Sequence, residues 1–207
     1  MEKISFIFTI CFMLLGPIKI IPPFARLTKD KERPFKRSVA IKSALIAATV
    51  CLFVVIAGDN LVNKYELSFA ALQISGGLVL LLAAMLTIFP RTEPEADAAA
   101  NRTSLQVALG FATPVIVPPA GVAAILIFVG FAPKYPGIYQ ALAVVLPIIL
   151  LLDFLVMFFN DLIMRIPVLL PAIQLLGAIL IFIQVALAID TILSAIKMLG
   201  FIPSGAT

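Results

Sequence analysis

The residues in this sequence that could do chemistry are few, and they stand where chemistry is costly. Lys19, Asp153, Gln184 and Asp190 fall inside long apolar runs. An ionisable or strongly polar group there is unfavourable unless paired or wet, so each is a functional candidate. Two proline clusters occupy similar surroundings, Gly16-Pro17-Ile18-Lys19-Ile20-Ile21-Pro22-Pro23 and Thr113-Pro114-Val115-Ile116-Val117-Pro118-Pro119. Each proline removes a backbone donor and crowds the preceding turn, which predicts local unwinding in both segments. Hydrocarbon cannot satisfy the freed groups, so these breaks must be buried in protein or line a wet cavity. Opened helix ends present N–H and C=O groups that suit the carboxylate and ammonium of a zwitterion, chemistry of binding rather than of bond making. The chain has no histidine, which removes Ser-His-Asp, Cys-His and zincin mechanisms. No enzymatic activity, cofactor or metal is expected. Cys11 and Cys51 form no C-x-x-C and read as small apolar residues.

The elements that must position these groups follow from composition. Of 207 residues, 62% are hydrophobic and 13% charged, against roughly 45–50% and about 25% in soluble domains. So many apolar residues exceed what a core of this size can hide, whereas a bilayer accepts them as outer surface. Six stretches, 4–25, 39–58, 67–89, 107–132, 138–159 and 169–196, are long enough to cross, since a span needs about 20 residues. The reading is an all-α polytopic membrane protein, a single membrane domain over 1–207. Its halves, 4–89 and 107–196, are joined by a polar loop, 90–106, whose Asn101-Arg102-Thr103 sequon is read as a chance match. Lys3 before the first apolar run suggests a secretory signal, but Gly16, Pro17 and Lys19 follow where a cleavage site would stand, so the segment is expected to remain as a mature helix. Seven of fifteen basic residues lie between Arg26 and Lys42. That bias places them in the cytoplasm and both termini outside, and it assigns the positive charge to orientation rather than to nucleic acid.

The halves resemble each other. Ala71 to Leu78 parallels Ala172 to Ile179 about 100 residues later, with Gln73 and Gln174 in register and Gly76 matched by Gly177. The two proline clusters align in the same way, Pro17 with Pro114 and Pro-Pro with Pro-Pro. Three spans per half is odd, so the second copy must enter from the opposite side, a 3+3 inverted repeat with broken first and fourth helices. The halves are expected to superpose about an axis in the membrane plane. The breaks are expected to converge near the bilayer centre on one polar cavity. Candidate substrate-binding residues are Gly16, Pro17, Lys19, Pro22, Gln73, Gly76, Pro114, Pro118, Gln174 and Gly177. The glycines serve close packing as well, and the two glutamines either bind substrate or bond an opened backbone. Lys19 and Asp153 lie at the same depth, each about 9 Å from the cytoplasmic end of its span. An ion pair or a coupling role is expected of them, with snorkelling of Lys19 as the alternative.

These motifs resemble the MarC (also called SnatA or NAAT) family of six-span prokaryotic membrane proteins, grouped with the LysE-like exporters. The resemblance rests on Pro17 to Pro23 followed by Phe24 and Leu27-Thr28, on Ser75-Gly76-Gly77 ending in Ile88-Phe89-Pro90, and on Pro114 to Gly121. It implies a secondary transporter of a small solute, a small neutral amino acid, in the inner membrane, driven by a cation gradient of protons or sodium. Two alternatives stay open: an exporter of another small solute, and a non-transporting scaffold. Lipid and a small-molecule substrate are the implied partners, a homo-oligomer is left open, and no nucleic acid is expected. This chain departs from the family where it carries Gly16 in place of an Asp or Asn, Lys19-Ile20 in place of a small pair, and Pro119-Ala120-Gly121 in place of Gly-Pro-Gly.

Overall fold

The computed structural model describes residues 2–89, 103–166 and 169–201, and residues 90–102 of the predicted loop, with Asn101 and Arg102 of the sequon, lie outside them. Among the described residues every regular element is helical. Helix α1 (Glu2–Leu15) leads through a 3-10 turn (Pro17–Lys19) to α2 (Ile21–Leu27), followed by α3 (Arg33–Lys64) and α4 (Phe69–Ile88). The second half holds α5 (Ser104–Phe111), a π-helical turn (Ala112–Ile116), α6 (Pro119–Phe131), α7 (Ile138–Phe158), the single turn α8 (Asn160–Ile163) and α9 (Leu169–Met198).

Local signals set several of these boundaries. Ser68 caps α4 by accepting from the Ala71 N–H at 3.2 Å. Thr103 and Gln106 form a reciprocal capping box at the start of α5, each satisfying an orphan donor of the first turn. Gly137, at φ +96°, supplies the left-handed residue that leads into α7. Helix α3 is longer than hydropathy alone predicts, because Arg33, Lys36 and Arg37 end an apolar window without ending a helix.

Five segments are long and apolar enough to cross a membrane, Ile4–Leu27, Arg33–Val62, Phe69–Ile88, Ile138–Phe158 and Pro171–Met198. Ser104–Ile116 and Pro119–Phe131 form a further pair bent by 58°. Contacts with α3 settle how that pair runs. Lys42 Nζ donates to Ser104 Oγ at 2.7 Å and Ser43 Oγ to the Ala108 carbonyl at 3.4 Å, while farther along both segments Leu126 covers Gly58. The bent pair therefore accompanies α3 in one direction, as a single crossing rather than a hairpin, and brings the crossings to six.

Helices α1, α3, α6 and α7 enclose the main core around Leu14, Leu15, Ile125, Leu142 and Ile149. Helix α4 packs between α6 and α9. Small residues make that approach close: a Cβ on Gly76 would lie 2.4 Å from Ile127, and one on Gly77 2.9 Å from the Ala188 carbonyl. Leu52, Phe53, Leu82 and Phe182 point outward, the apolar exterior that a lipid environment accepts.

Candidate functional site

The first break begins at Gly16, whose backbone is extended (φ −73°, ψ 167°). Its N–H still donates to the Phe12 carbonyl at 2.9 Å, and a Cβ here would lie only 2.0 Å from that oxygen. Glycine is thus demanded by close approach of the chain to its own preceding turn. The second break runs through Thr113, which leaves helical geometry (φ −128°, ψ 119°) inside the π-helical turn. The Thr113-Pro114 bond is cis. The two breaks are neighbours: Leu15 packs on Gly121, and Phe24 meets Phe111 edge to face with ring centroids 5.4 Å apart.

Between the breaks, α4 and α9 lies a cavity of about 540 Å³. Ile18, Lys19 and Pro22 line it from the first break, and Pro114, Val115, Pro118 and Pro119 from the second. Helix α9 adds Gln174, Gly177 and Gln184, and α4 adds Thr87. Its wall is mostly apolar, with a few polar groups, where a more polar cavity is predicted from the sequence. Prolines explain which carbonyls lack the usual helical donor. Pro22 and Pro23 bring no N–H to the carbonyls of Ile18 and Lys19, and Pro118 and Pro119 bring none to those of Pro114 and Val115. All four of these residues line the cavity.

The charged group is held in place by a relay. Lys19 Nζ donates to Gln184 Oε1 at 2.9 Å, and Gln184 Nε2 donates to the Leu80 carbonyl at 3.0 Å. Gln184 is 2% exposed. It orients the lysine head on a partner that takes one of three N–H donors and leaves the ammonium charge uncompensated. The sequence marks Gln184 as a functional candidate by its depth in an apolar run but does not place it among the binding residues, although it continues the stripe 174, 177, 181, 184, whose helical spacing puts it on the face of Gln174.

Six of the ten predicted binding residues thus share one cavity: Lys19, Pro22, Pro114, Pro118, Gln174 and Gly177. The other four do not line it. Gly16 and Pro17 are buried beneath the first break, and Gly76 packs on Ile127. Gln73 is 7% exposed and its Oε1 has no hydrogen-bond partner. The expected Lys19–Asp153 ion pair does not form. Asp153 is 1% exposed and neither of its carboxylate oxygens has a hydrogen-bond partner. Equal depth placed the two residues at one level but said nothing of direction: Lys19 turns toward α9, whereas Asp153 stands within electrostatic reach of Cys51 on α3, which in turn reaches Cys11 on α1.

The helical, apolar architecture agrees with the comparison to known sequences. The description "MarC family integral membrane protein" matches residues 1–199. The chain belongs to the MarC family. Among curated MarC-type relatives, the UPF0056 inner membrane protein YhgN of Escherichia coli (strain K12) is 29% identical over 90 residues, 44% of this chain and 46% of the relative. A UPF0056 membrane protein of Buchnera aphidicola subsp. Schizaphis graminum is 26% identical over 115 residues, 56% of this chain and 58% of the relative. One from Archaeoglobus fulgidus is 22% identical over 89 residues, 43% and 42% of the two chains. The matched stretches span about half the length of these relatives. No solved structure matches the chain. Membership in the MarC family makes this an integral membrane protein, in keeping with its apolar helices.

Proposed function

We propose that this MarC-family protein is a secondary transporter that moves a small zwitterion, a neutral amino acid, by alternating access. The observation that carries the reading is the convergence of both proline breaks on one cavity, where an uncompensated ammonium faces a set of carbonyl-bearing residues without i+4 donors. A substrate carboxylate meets Lys19 in a charge-assisted contact. Its ammonium meets the opened backbone at Ile18, Pro114 or Val115, with Thr87 and Gln174 at hand. No group here is arranged for bond cleavage, which favours a carrier over an enzyme.

Two packing features support the inverted repeat behind this mechanism. Exchanging the first three crossings for the last three turns α1 on α7 into the bent fourth crossing on α3, and it maps the pairs α4–α9 and α3–α7 onto themselves; all these contacts are made. The matched glutamines and glycines also differ in a telling way. Gln174 and Gly177 line the cavity, whereas Gln73 and Gly76 are packed shut. One half is open and its counterpart closed, which is how a two-state carrier stands in one of its end states. With the basic stretch from Arg26 to Lys42 in the cytoplasm, the open half faces inward and both termini lie outside, in a prokaryotic inner membrane.

Uptake of labelled glycine and alanine into proteoliposomes under an imposed proton or sodium gradient tests the proposal. Gradient-driven accumulation that unlabelled neutral amino acids inhibit is the expected result. A purified, monodisperse protein that moves none of these solutes in either direction, and binds none, favours the scaffold reading instead.

A further inference from the structure

We infer that Asp153 holds an exchangeable proton and that this proton is the coupling ion of the transport cycle; its coupling role rests on the transport reading above. Asp153 sits five residues before the end of α7, inside a crossing, and is 1% exposed with both carboxylate oxygens unpartnered. An ionised carboxylate cannot remain in such a place without a counter-charge or donors, so the group stands neutral with a proton on it.

Among the described residues, no hydrogen bond or ion pair to Asp153 supplies another means of neutralisation. Among the groups packed around α7, Cys51 reaches Asp153 from α3 and Cys11 lies beyond it on α1. Helix α6 carries no titratable residue. Lys19, on the turn packed against α7, is turned to Gln184. Toward the end of α7, Asp161 of α8 is taken by Lys36 at 2.7 Å, and Arg37 lies over the Phe158 ring at 4.8 Å. Arg26 on α2 is exposed. The titratable group within electrostatic reach of Asp153 is thus a thiol, a soft ligand poorly suited to sodium, which makes the proton the fitting partner of this carboxylate.

Position gives that proton something to act on. The 3-10 turn Pro17–Lys19 packs against both α7 and α9. It thus joins the helix that carries Asp153 to the cavity, into which it carries Lys19. A change of charge on Asp153 therefore acts on the same turn that holds the substrate's ammonium partner. The step balances as a proton transfer: an O–H bond of a hydronium ion on one face breaks as the carboxylate O–H forms, and that O–H breaks in turn when a water on the other face takes the proton.

The test uses the full-length protein reconstituted in lipid. Infrared difference spectra on exchange from H2O to D2O are expected to show a protonated carboxyl C=O band that shifts with deuterium and is missing from Asp153→Asn, which keeps the shape of the neutral acid. In proteoliposomes, Asp153→Asn is expected to lower accumulation driven by a pH gradient by about tenfold and to abolish the accompanying proton uptake, read with a pH dye inside the vesicles. Asp153→Glu, which keeps an acid, is expected to retain the proton uptake. A wild-type band unchanged in Asp153→Asn, or full proton-coupled accumulation by that variant, overturns the inference. If wild type moves no solute, the transport reading fails, and the infrared band still decides whether Asp153 holds the proton.

Discussion

The two breaks are built on nearly the same proline spacing, yet they differ in shape and in what they offer. Across the first, Ile4–Leu27 remains a single crossing, and the break carries Lys19 with its relay to Gln184. The second bends its crossing by 58° and contributes prolines and backbone but no charge. Proline positions thus determine where a helix opens, while the residues between them determine what the opening does. A glycine pressed against its own preceding turn keeps the first break narrow. In the second, Thr113 is exposed and absorbs the change of direction.

The largest effect expected from that difference is on stability. Gly16→Ala places a Cβ against the Phe12 carbonyl and is expected to destabilise by about 2–3 kcal/mol, whereas Thr113→Ala stays within about 0.5 kcal/mol. Thermal unfolding in detergent, followed by a fluorophore that reacts with the buried thiols, compares the two variants. Equal losses remove the distinction between the breaks.

Next comes charge. Lys19→Asn is expected to raise the apparent KM for a carboxylate-bearing solute by roughly thirtyfold, about 2 kcal/mol, with unfolding temperature little changed. Unaltered uptake kinetics in this variant reduce Lys19 to a structural contact of Gln184. A smaller, related loss of about 1 kcal/mol is expected for Gln184→Leu, which keeps the lysine but frees its head; an effect as large as that of Lys19→Asn makes Gln184 itself a substrate contact.

The matched glutamines sharpen the comparison by access rather than energy. In a background without Cys11 and Cys51, Gln174→Cys is expected to react with a membrane-impermeant maleimide applied from the cytoplasmic side about tenfold faster than Gln73→Cys. Equal rates contradict a one-sided opening. The smallest effect is expected at Lys36→Ala, which removes a half-exposed ion pair with Asp161 and costs at most about 1 kcal/mol.

Much of this was legible in the sequence because depth along a helix is. A count of residues from a span end located Lys19, both breaks and all six crossings. Direction around the axis was not legible. Helices α4 and α9 are apolar on nearly every face, because lipid and protein interior demand the same side chains, so periodicity does not say which face meets which neighbour. For that reason equal depth pairs Lys19 with Asp153, whereas the side chain turns to Gln184. For the same reason Gln73 and Gln174, equivalent as letters, gave no sign that one is enclosed and the other opens on the cavity.

The two cysteines, packed among α1, α3 and α7 at 0% and 2% exposure, give the native chain a chemical clock. A thiol enclosed between crossings waits for those crossings to separate before an alkylating reagent in water can find it. Its modification rate therefore measures how often the core near Asp153 parts, and the wild-type protein reports its own movement without an added label.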